Sequence, residues 1–258
     1  MHIETVLTQL RSLRLSMMAQ SLEQRMAKNE QQGLAPEEFF ALLVSDEYEA
    51  RQERKLSRMI GRANFKPEQA CMENIDFNPA RGFQKKDILQ FTTPAWINHA
   101  HNIALIGPTG VGKTFIAEAI GLQACKMGYP TRKIRYKMLF EEIGNARATG
   151  QILKYLKQLQ QTRVLILDDF LMSKANEEEV AYLLEMIEER AQIGPIIVTT
   201  QYPIAKWHQI MPNPTTADAI CDRLAHSSIV INFNPKGDSY RKKFFAQKSG
   251  EHLSPEPH

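Results

Sequence analysis

Residues 107–114 read GPTGVGKT, and this run fits the phosphate-binding loop pattern G-x-x-x-x-G-K-[ST] at every position. The apolar run NIALI at 102–106 predicts a buried strand before the loop, and residues 115–127 carry a helical pattern after it. The loop therefore stands between a strand and a helix, which is the context that supports nucleotide binding. Its glycines let backbone N–H groups turn towards a polyphosphate, and the following helix directs the positive end of its dipole at the same anions.

Each residue of this loop is expected to contact a bound nucleotide. Lys113 would reach the β- and γ-phosphates, and the hydroxyl of Thr114 would hold a magnesium ion. The expected nucleotide contacts are Gly107, Pro108, Thr109, Gly110, Val111, Gly112, Lys113 and Thr114.

Composition is that of an ordinary globular protein. The 258 residues include 43% hydrophobic ones and carry a net charge of +3, which allows one large domain or a domain with a smaller companion. Cys71, Cys125 and Cys221 are too far apart to indicate a disulfide framework or a metal site, so we expect free thiols in a reducing compartment. Arg11 and Arg14 interrupt the segment where a signal peptide needs its apolar core, and no apolar run approaches about 18 residues. We therefore expect a cytoplasmic protein without a membrane partner.

Apolar spacing divides the chain into a helical part and an alternating α/β part. Apolar residues recur at three- and four-residue steps from Leu7 to Met17, and a second helical pattern opens at Pro36. A segment with prolines and little periodicity follows these helices. The predicted regions are a helical N-terminal domain at 1–66, a linker at 67–82 and a nucleotide-binding domain at 83–258.

Short apolar runs in the nucleotide-binding domain predict strands, and helical patterns separate them. A helical pattern at about 138–160 is interrupted near Gly150, and another covers 176–192. Strands that alternate with helices imply an α/β fold with a parallel sheet covered on both faces. The predicted strands are 102–106, 134–138, 164–167, 195–199 and 228–231.

Two carboxylates, Asp168 and Asp169, follow the apolar run VLIL at 164–167. A buried strand would deliver them to the carboxyl edge of the sheet, where open α/β sheets bind ligands. There Asp168 would hold Mg²⁺ through water, and Asp169 would polarise the attacking water. A strand that ends in a solvated acidic turn has the same sequence, so both interpretations stay open.

Two further polar positions would complete such a site. Gln201 ends the polar sequence Thr199-Thr200-Gln201, where its side chain would lie between the acids and the γ-phosphate; a plain strand-to-loop transition is the alternative. Arg223 precedes the fifth predicted strand and has Asp222 beside it. An arginine finger stabilises charge on a transferring phosphoryl group, and a surface ion pair is the equally acceptable alternative.

The order of phosphate loop, acidic strand, polar strand end and Asp-Arg-Leu resembles the core of the AAA+ ATPases. More narrowly, the chain resembles the IstB family, the transposition helper ATPases of two-gene bacterial insertion sequences, and its relative the helicase loader DnaC. The narrower resemblance rests on LRSLRLSM at 10–17, RANF at 62–65, IDF at 75–77, AKW at 205–207, DRLAH at 222–226 and SYR at 239–241.

This resemblance implies an ATPase that requires ATP and Mg²⁺. It implies a five-stranded parallel sheet in which another strand separates the acidic strand from the phosphate-loop strand. It also implies that Arg223 acts in trans on nucleotide held by a second copy of the chain, so that self-assembly belongs to the mechanism. The expected catalytic residues are Lys113, Asp169, Gln201 and Arg223, and the expected metal-binding residues are Thr114 and Asp168.

The chain departs from the family pattern at three places. Asp169 stands where the family has Glu and is one methylene shorter, which predicts slow hydrolysis. Gln201 stands where the family has Asn. The chain after Asn234 has room for about one helix, so we expect a truncated C-terminal lid, with Arg241 as a possible second sensor of the nucleotide.

Two clusters of basic residues predict contact with the backbone of double-stranded DNA. The first recurs at three- and four-residue steps along a predicted helix and forms one stripe. The second lies on the second predicted strand, where alternation directs three cations to one face and therefore indicates an edge strand. A solvated helix face and a charged edge that blocks strand pairing are the alternatives. The expected DNA contacts are Arg51, Arg54, Lys55 and Arg58 in the first cluster and Arg132, Lys133, Arg135 and Lys137 in the second.

Together these features favour an ATP-dependent AAA+ helper of the bacterial cytoplasm that assembles on target DNA and assists a partner transposase. The closest alternative is a helicase loader, which would bind a helicase through residues 1–66. A metabolic kinase with a phosphate loop and a nucleotide-gated scaffold with little turnover are alternatives from other classes.

Overall fold

The computed structural model describes residues 2–30, 32–66, 70–225 and 228–234. The chain divides into two compact units, Met1–Arg58 and Met59–His258. The described part of the predicted linker, 70–82, falls within the second unit, where Ile75 is buried in the core. The predicted C-terminal lid and Arg241 lie outside the described residues.

The first unit is built from helices, as the N-terminal spacing predicts. Helix α1 covers Ile3–Ser12, α2 covers Ser16–Ala27, and α3, at Pro36–Arg62, continues past the end of the unit. Their apolar faces enclose a small core around Leu7, Leu22 and Leu43.

A buried carboxylate joins the helices of this unit. Glu47 on α3 accepts hydrogen bonds from the backbone N–H groups of Met17 and Met18, at 2.8 and 3.0 Å, in the first turn of α2. The first N–H groups of a helix lack partners within it, so Glu47 satisfies two of them. Burial raises the pKa of Glu47, but the hydrogen bond from Arg51 and those from the two amides outweigh burial, and its pKa is lowered overall.

The second unit is built on a five-stranded sheet with strand order β2-β3-β4-β1-β5, and each pair of neighbours is parallel. Strand β4 lies between β1, which leads into the phosphate loop, and β3, which carries the acids. This order confirms the separation of the two strands that the family resemblance implies. The strands are β1 at Asn102–Ile106, β2 at Thr131–Arg135, β3 at Val164–Asp168, β4 at Ile196–Thr200 and β5 at Ser228–Asn232.

Helices cover both faces of this sheet and form an apolar cluster on each face. On one face, the rings of Tyr136, Phe170 and Trp207 meet edge to face, with centroids 5.2 and 5.0 Å apart along the series. The helices are α4 at Lys85–Leu89, α5 at Ala95–Asn98, α6 at Lys113–Lys126, α7 at Tyr136–Ala148, α8 at Ile152–Gln160, α9 at Glu177–Arg190, α10 at Trp207–Ile210 and α11 at Pro214–Ala225.

The second strand differs from its prediction. It covers Thr131–Arg135 instead of 134–138, because Tyr136 is the first residue of α7 and is buried. Lys137 therefore lies exposed on a helix, 3.8 Å from Glu141, and does not share a strand face with Lys133. The prediction of an edge strand is confirmed, since β2 is the first strand of the sheet.

Lys133 is buried and forms an ion pair with Glu118 of α6, so the expectation that it contacts DNA was wrong. A buried ammonium cannot reach a phosphate backbone, and it is stable in the core because it has a charged partner. The backbone of the same residue is also engaged. Its N–H donates to the carbonyl of Ala63 at 2.7 Å, and its carbonyl accepts from Asn64 at 3.3 Å, so these two residues cover the sheet edge.

We expect Glu118→Ala to lower the free energy of unfolding by about 3–5 kcal/mol, because it leaves the Lys133 ammonium buried without its partner. The measurement is urea denaturation followed by circular dichroism. Lys137→Ala, which breaks an exposed pair, is the control and should change stability by less than about 0.5 kcal/mol. The double variant Glu118→Met/Lys133→Met should recover most of the loss. A single variant as stable as the control would contradict the buried pair.

Candidate nucleotide-binding site

The phosphate loop leaves the carboxyl end of β1 and enters α6. Gly110 and Gly112 have φ values of 88° and 96°, which is the left-handed region that glycine adopts without strain. Gly107 is required for a different reason, since a Cβ there would lie 2.7 Å from the Cβ of Phe233. The N–H of Gly107 donates to the carbonyl of Thr200 at 3.1 Å, so the start of the loop is attached to β4.

Lys113 is the first residue of α6, and its side chain turns back into the loop. Its Nζ donates to the carbonyls of Gly107 and Pro108, at 2.7 Å each. Burial lowers the pKa of this ammonium below its usual value, and the carboxylates of Asp169 and Asp168 partly oppose the effect. The loop therefore contains a partly desolvated cation, which suits the binding of a phosphate group.

Asp168 ends β3 next to the first turn of α6. It is buried, and its Oδ1 accepts hydrogen bonds from the hydroxyls of Thr114, at 2.8 Å, and Thr199, at 2.6 Å. Mg²⁺ prefers hydroxyl, carboxylate and water oxygens as ligands. Thr114 and Asp168 supply such oxygens side by side, so they could hold a magnesium ion, Thr114 directly and Asp168 through water.

Asp169 is exposed, unlike its neighbour. Its φ of 57° lies in the left-handed region, so the extended conformation of β3 ends at Asp168 and a turn begins at Asp169. The backbone N–H of Asp169 donates to Thr199 Oγ1 at 3.0 Å. The strand end therefore carries a buried carboxylate followed by an exposed one.

Gln201 follows β4 and reaches the phosphate loop. Its Nε2 donates to the hydroxyl of Thr109, which places the amide beside the loop. Gln201 thus follows the carboxyl end of β4 and contacts the phosphate loop, while its predicted position between the acids and the γ-phosphate stays a prediction.

Arg223 lies near the amino end of β1, at the end of the sheet opposite the phosphate loop. Its carbonyl accepts a hydrogen bond of 3.0 Å from the side chain of Asn102, the first residue of β1, whereas the phosphate loop follows the last residue of that strand. A strand rises about 3.3 Å per residue, so roughly 13 Å separates the first and last residues of β1. The guanidinium forms an ion pair with Glu188 of α9 at 2.6 Å. Arg223 is therefore not brought to the phosphate loop of its own chain.

Sequence reasoning missed Arg81, which contacts the phosphate loop from the segment predicted as a linker. Its side chain is buried, pairs with Asp76 at 3.3 Å and donates to the carbonyl of Val111 at 3.2 Å. Its own carbonyl accepts from the N–H of Asn234 at 2.9 Å. An arginine that follows Pro79 and precedes Gly82 gives no local signal of this role, because its partner is 30 positions away.

The basic stripe on α3 is exposed, and a buried acid, Glu47, neutralises part of its charge. Arg51 and Arg54 approach Glu47 at 2.7 and 3.7 Å, so their charges are partly neutralised. Both are exposed, as are Lys55 and Arg58. These four side chains remain within reach of an external anion.

The second basic cluster is smaller than the sequence suggested. Arg132 pairs with Glu142 at 2.6 Å and lies over the ring of Tyr155, 5.5 Å from its centroid. With Lys133 buried, Arg135 and Lys137 are the exposed cations of the cluster.

Other classes of site receive no support within the described part of the chain. No group of three or more His, Cys, Asp or Glu side chains there could hold a metal ion, and the three cysteines are free. No helix in the same ranges is long and apolar enough to cross a membrane. The residues that converge at the carboxyl edge of the sheet are therefore the candidate site.

We expect Lys113→Met to weaken ATP binding by about a hundredfold, the size of effect expected when a charged hydrogen-bond donor is lost. Without nucleotide the variant should unfold at a temperature close to that of the parent, because losing the two hydrogen bonds to the loop carbonyls opposes the gain from removing a partly desolvated ammonium. Titration with a fluorescent ATP analogue and thermal unfolding measure the two effects. The control is Lys126→Met, which removes an exposed lysine at the other end of α6 and should change neither. Unchanged affinity in Lys113→Met would contradict the site.

Comparison with known proteins identifies the family of this chain. Residues 8–248 match the family described as IstB-like ATP binding protein. The chain is 33% identical over 236 residues to a putative insertion sequence ATP-binding protein of Sinorhizobium fredii, with 92% of this chain and 95% of that relative covered. It is 36% identical over 203 residues to the IS1162 putative ATP-binding protein of Pseudomonas fluorescens, with 79% of this chain and 88% of that relative covered.

Solved structures confirm the fold. AMPPCP-bound DnaA from Aquifex aeolicus superposes with a TM-score of 0.59 and 16% identity, over 74% of this chain and 58% of that chain. DnaI superposes with a TM-score of 0.56 and 17% identity, over 66% of this chain and 95% of that chain. At these identities the likeness establishes the α/β AAA+ fold alone. The family match extends over most of the sequence, and the chain therefore belongs to the IstB-like ATP-binding proteins.

Proposed function

We propose that this protein hydrolyses ATP, assembles with copies of itself on double-stranded DNA and assists a transposase in DNA transposition. One observation carries the proposal. Lys113, Thr114, Asp168 and Asp169 converge at one edge of the sheet, while Arg223 lies at the opposite edge. In such an arrangement one chain would bind ATP by itself, and a second copy of the chain would supply Arg223 as the arginine finger.

Phosphoryl transfer depends mainly on positioning and on neutralising charge. Lys113 would neutralise the β- and γ-phosphates, and Thr114 and Asp168 would hold Mg²⁺ between them. Asp169, exposed beside Asp168, would polarise the attacking water, and Gln201 would sense the γ-phosphate from the loop. The short side chain of Asp169 supports slow turnover.

Self-assembly would complete the site. A second copy that presents the carboxyl end of its α11 to this phosphate loop would bring its Arg223 close to the γ-phosphate. In the single chain the guanidinium pairs with Glu188, so assembly would exchange that carboxylate for a phosphate. Nucleotide would then lie at the junctions between copies and control assembly.

Several observations support a role beside a transposase. The relatives from Sinorhizobium fredii and Pseudomonas fluorescens are described as insertion sequence ATP-binding proteins. Apart from the acids beside the phosphate loop, the sequence has no spaced acidic triad of the kind that cuts DNA, so a partner would supply cleavage. We propose that the protein works in the bacterial cytoplasm, and that the helical domain predicted at 1–66 contacts the partner or the DNA.

DNA would contact the protein through its backbone. The exposed stripe of Arg51, Arg54, Lys55 and Arg58 on α3 is one proposed surface, and Arg135 with Lys137 is another. Contacts of this kind release counterions, so binding should weaken as salt rises and should depend little on base sequence.

The test of this function is particle mass in solution, measured with ATP or a slowly hydrolysed analogue and with or without duplex DNA. We expect large particles that require both ligands, because nucleotide would lie at the junctions and DNA would align the copies. Lys113→Ala should not form them. A monomer or dimer that responds to neither ligand would remove assembly from the proposal.

A mixing experiment tests whether Arg223 acts in trans. Arg223→Ala should reduce hydrolysis about a thousandfold or more, and Asp169→Ala should also be inactive. In an equal mixture, about one quarter of the junctions would combine an intact Asp169 with an intact Arg223. Phosphate release should therefore recover to about that fraction.

The control for the mixing experiment is Glu188→Ala, which removes the partner of Arg223 and leaves the guanidinium in place. It should hydrolyse ATP at least as fast as the parent protein. A mixture as inactive as its two components would refute the trans finger.

A further inference from the structure

Thr199 lies in the strand between the phosphate-loop strand and the acidic strand of the nucleotide site. It lies in β4, which pairs with β1 on one side and β3 on the other, and its side chain is fully buried. Leu105, two residues before the phosphate loop, is its register partner in β1. Thr199 therefore lies between the strand that leads into the phosphate loop and the strand that carries the acids.

The hydroxyl of Thr199 contacts both acidic residues. It donates to Asp168 Oδ1 at 2.6 Å and accepts from the backbone N–H of Asp169 at 3.0 Å. A hydroxyl carries one hydrogen and two lone pairs. Because the amide can only donate, the single hydrogen of the hydroxyl is left for the carboxylate, and the direction of both bonds is determined.

The turn after β3 depends on this strand. Asp169 has a φ of 57°, in the left-handed region that aspartate adopts more readily than most residues. The N–H of Phe170 donates to the carbonyl of Thr199 at 2.8 Å, and its carbonyl accepts from the hydroxyl of Thr200 at 2.8 Å. Together with the bond from Asp169, these contacts keep the turn in place, with one carboxylate buried and the next exposed.

We propose that Thr199 is a positioning residue of the ATPase site, which sets the carboxylate of Asp168 and the chain direction at Asp169 through one hydroxyl. The proposal rests on the hydrolysis proposed above. Thr114 would turn its hydroxyl from Asp168 to the metal when Mg²⁺ binds, whereas Thr199 would keep its bond to Asp168. Thr199 would therefore determine where the metal-binding carboxylate lies without touching the nucleotide.

A merely structural role has different consequences. Buried threonines in strands often bond a nearby backbone carbonyl, as Thr131 of β2 does with Tyr129 at 3.3 Å. Loss of such a bond changes stability alone. Loss of the Thr199 hydroxyl would also release a carboxylate, so the dependence on Mg²⁺ separates the two roles.

The test compares Thr199→Val, which keeps the shape but lacks the hydroxyl, with Thr199→Ser, which keeps the hydroxyl. Thr131→Val is the matched control, since it removes a buried hydroxyl from the same sheet away from the site. For each protein, binding of a fluorescent ATP analogue is titrated with and without Mg²⁺. The rate of phosphate release and the Tm are also measured.

We expect Thr199→Val to raise the Mg²⁺ concentration at which nucleotide binding is half-maximally strengthened. It should also lower the kcat of ATP hydrolysis by about tenfold to a hundredfold, as when a hydrogen bond to a charged group is lost. Nucleotide affinity without Mg²⁺ should match that of the control. Thr199→Ser should bring both the Mg²⁺ dependence and kcat most of the way back to the parent values. If Thr199→Val folds poorly, Thr199→Cys replaces it, because a thiol is a weak donor.

Two results would overturn the proposal. One is a Thr199→Val protein with the same Mg²⁺ dependence as Thr131→Val, and the other is a Thr199→Ser protein as impaired as Thr199→Val. If the parent protein hydrolyses no ATP, the proposed hydrolysis fails by itself. The Mg²⁺ dependence of nucleotide binding then still decides the role of Thr199.

Discussion

A buried carboxylate with two hydroxyl donors is the contact on which the nucleotide site depends. Asp168 ends β3, and its Oδ1 accepts from Thr114 at the start of α6 and from Thr199 in β4. Removing a carboxylate from water is costly unless hydrogen bonds replace its hydration. Here both donors come from other segments of the fold, so the phosphate loop, the acidic strand and the strand between them meet at one oxygen atom.

A second constraint is the position of Arg223 relative to the phosphate loop. The two lie at opposite ends of β1, and no rotation of one side chain spans the strand. The proposed finger therefore requires another copy of the chain, and the Glu188 pair occupies the guanidinium until that copy arrives. Under the proposed function, catalysis and self-assembly would then be one event.

Charge patterns along the sequence were the least reliable guide to position. Alternation suggested that Lys133, Arg135 and Lys137 share a strand face, but α7 begins at Tyr136, whose ring packs in the core. Lys133 instead pairs with Glu118 of α6 inside the molecule. The pattern did identify β2 as an edge strand, because a central strand does not carry so many cations. The pattern could not reveal that Glu118 pairs with Lys133 in the interior of the protein.

The sequence by itself determined the strand–loop–helix unit around Lys113, the alternating α/β pattern and the carboxylates at the end of β3. Each of these depends on neighbours along the chain, so local spacing is enough to predict it. Tertiary structure alone decided that Arg81 contacts the phosphate loop, that Thr199 contacts both acids, and that Arg223 lies at the far edge. Those contacts join residues about 30 or more positions apart, and only the packing of the sheet and its helices brings such residues together.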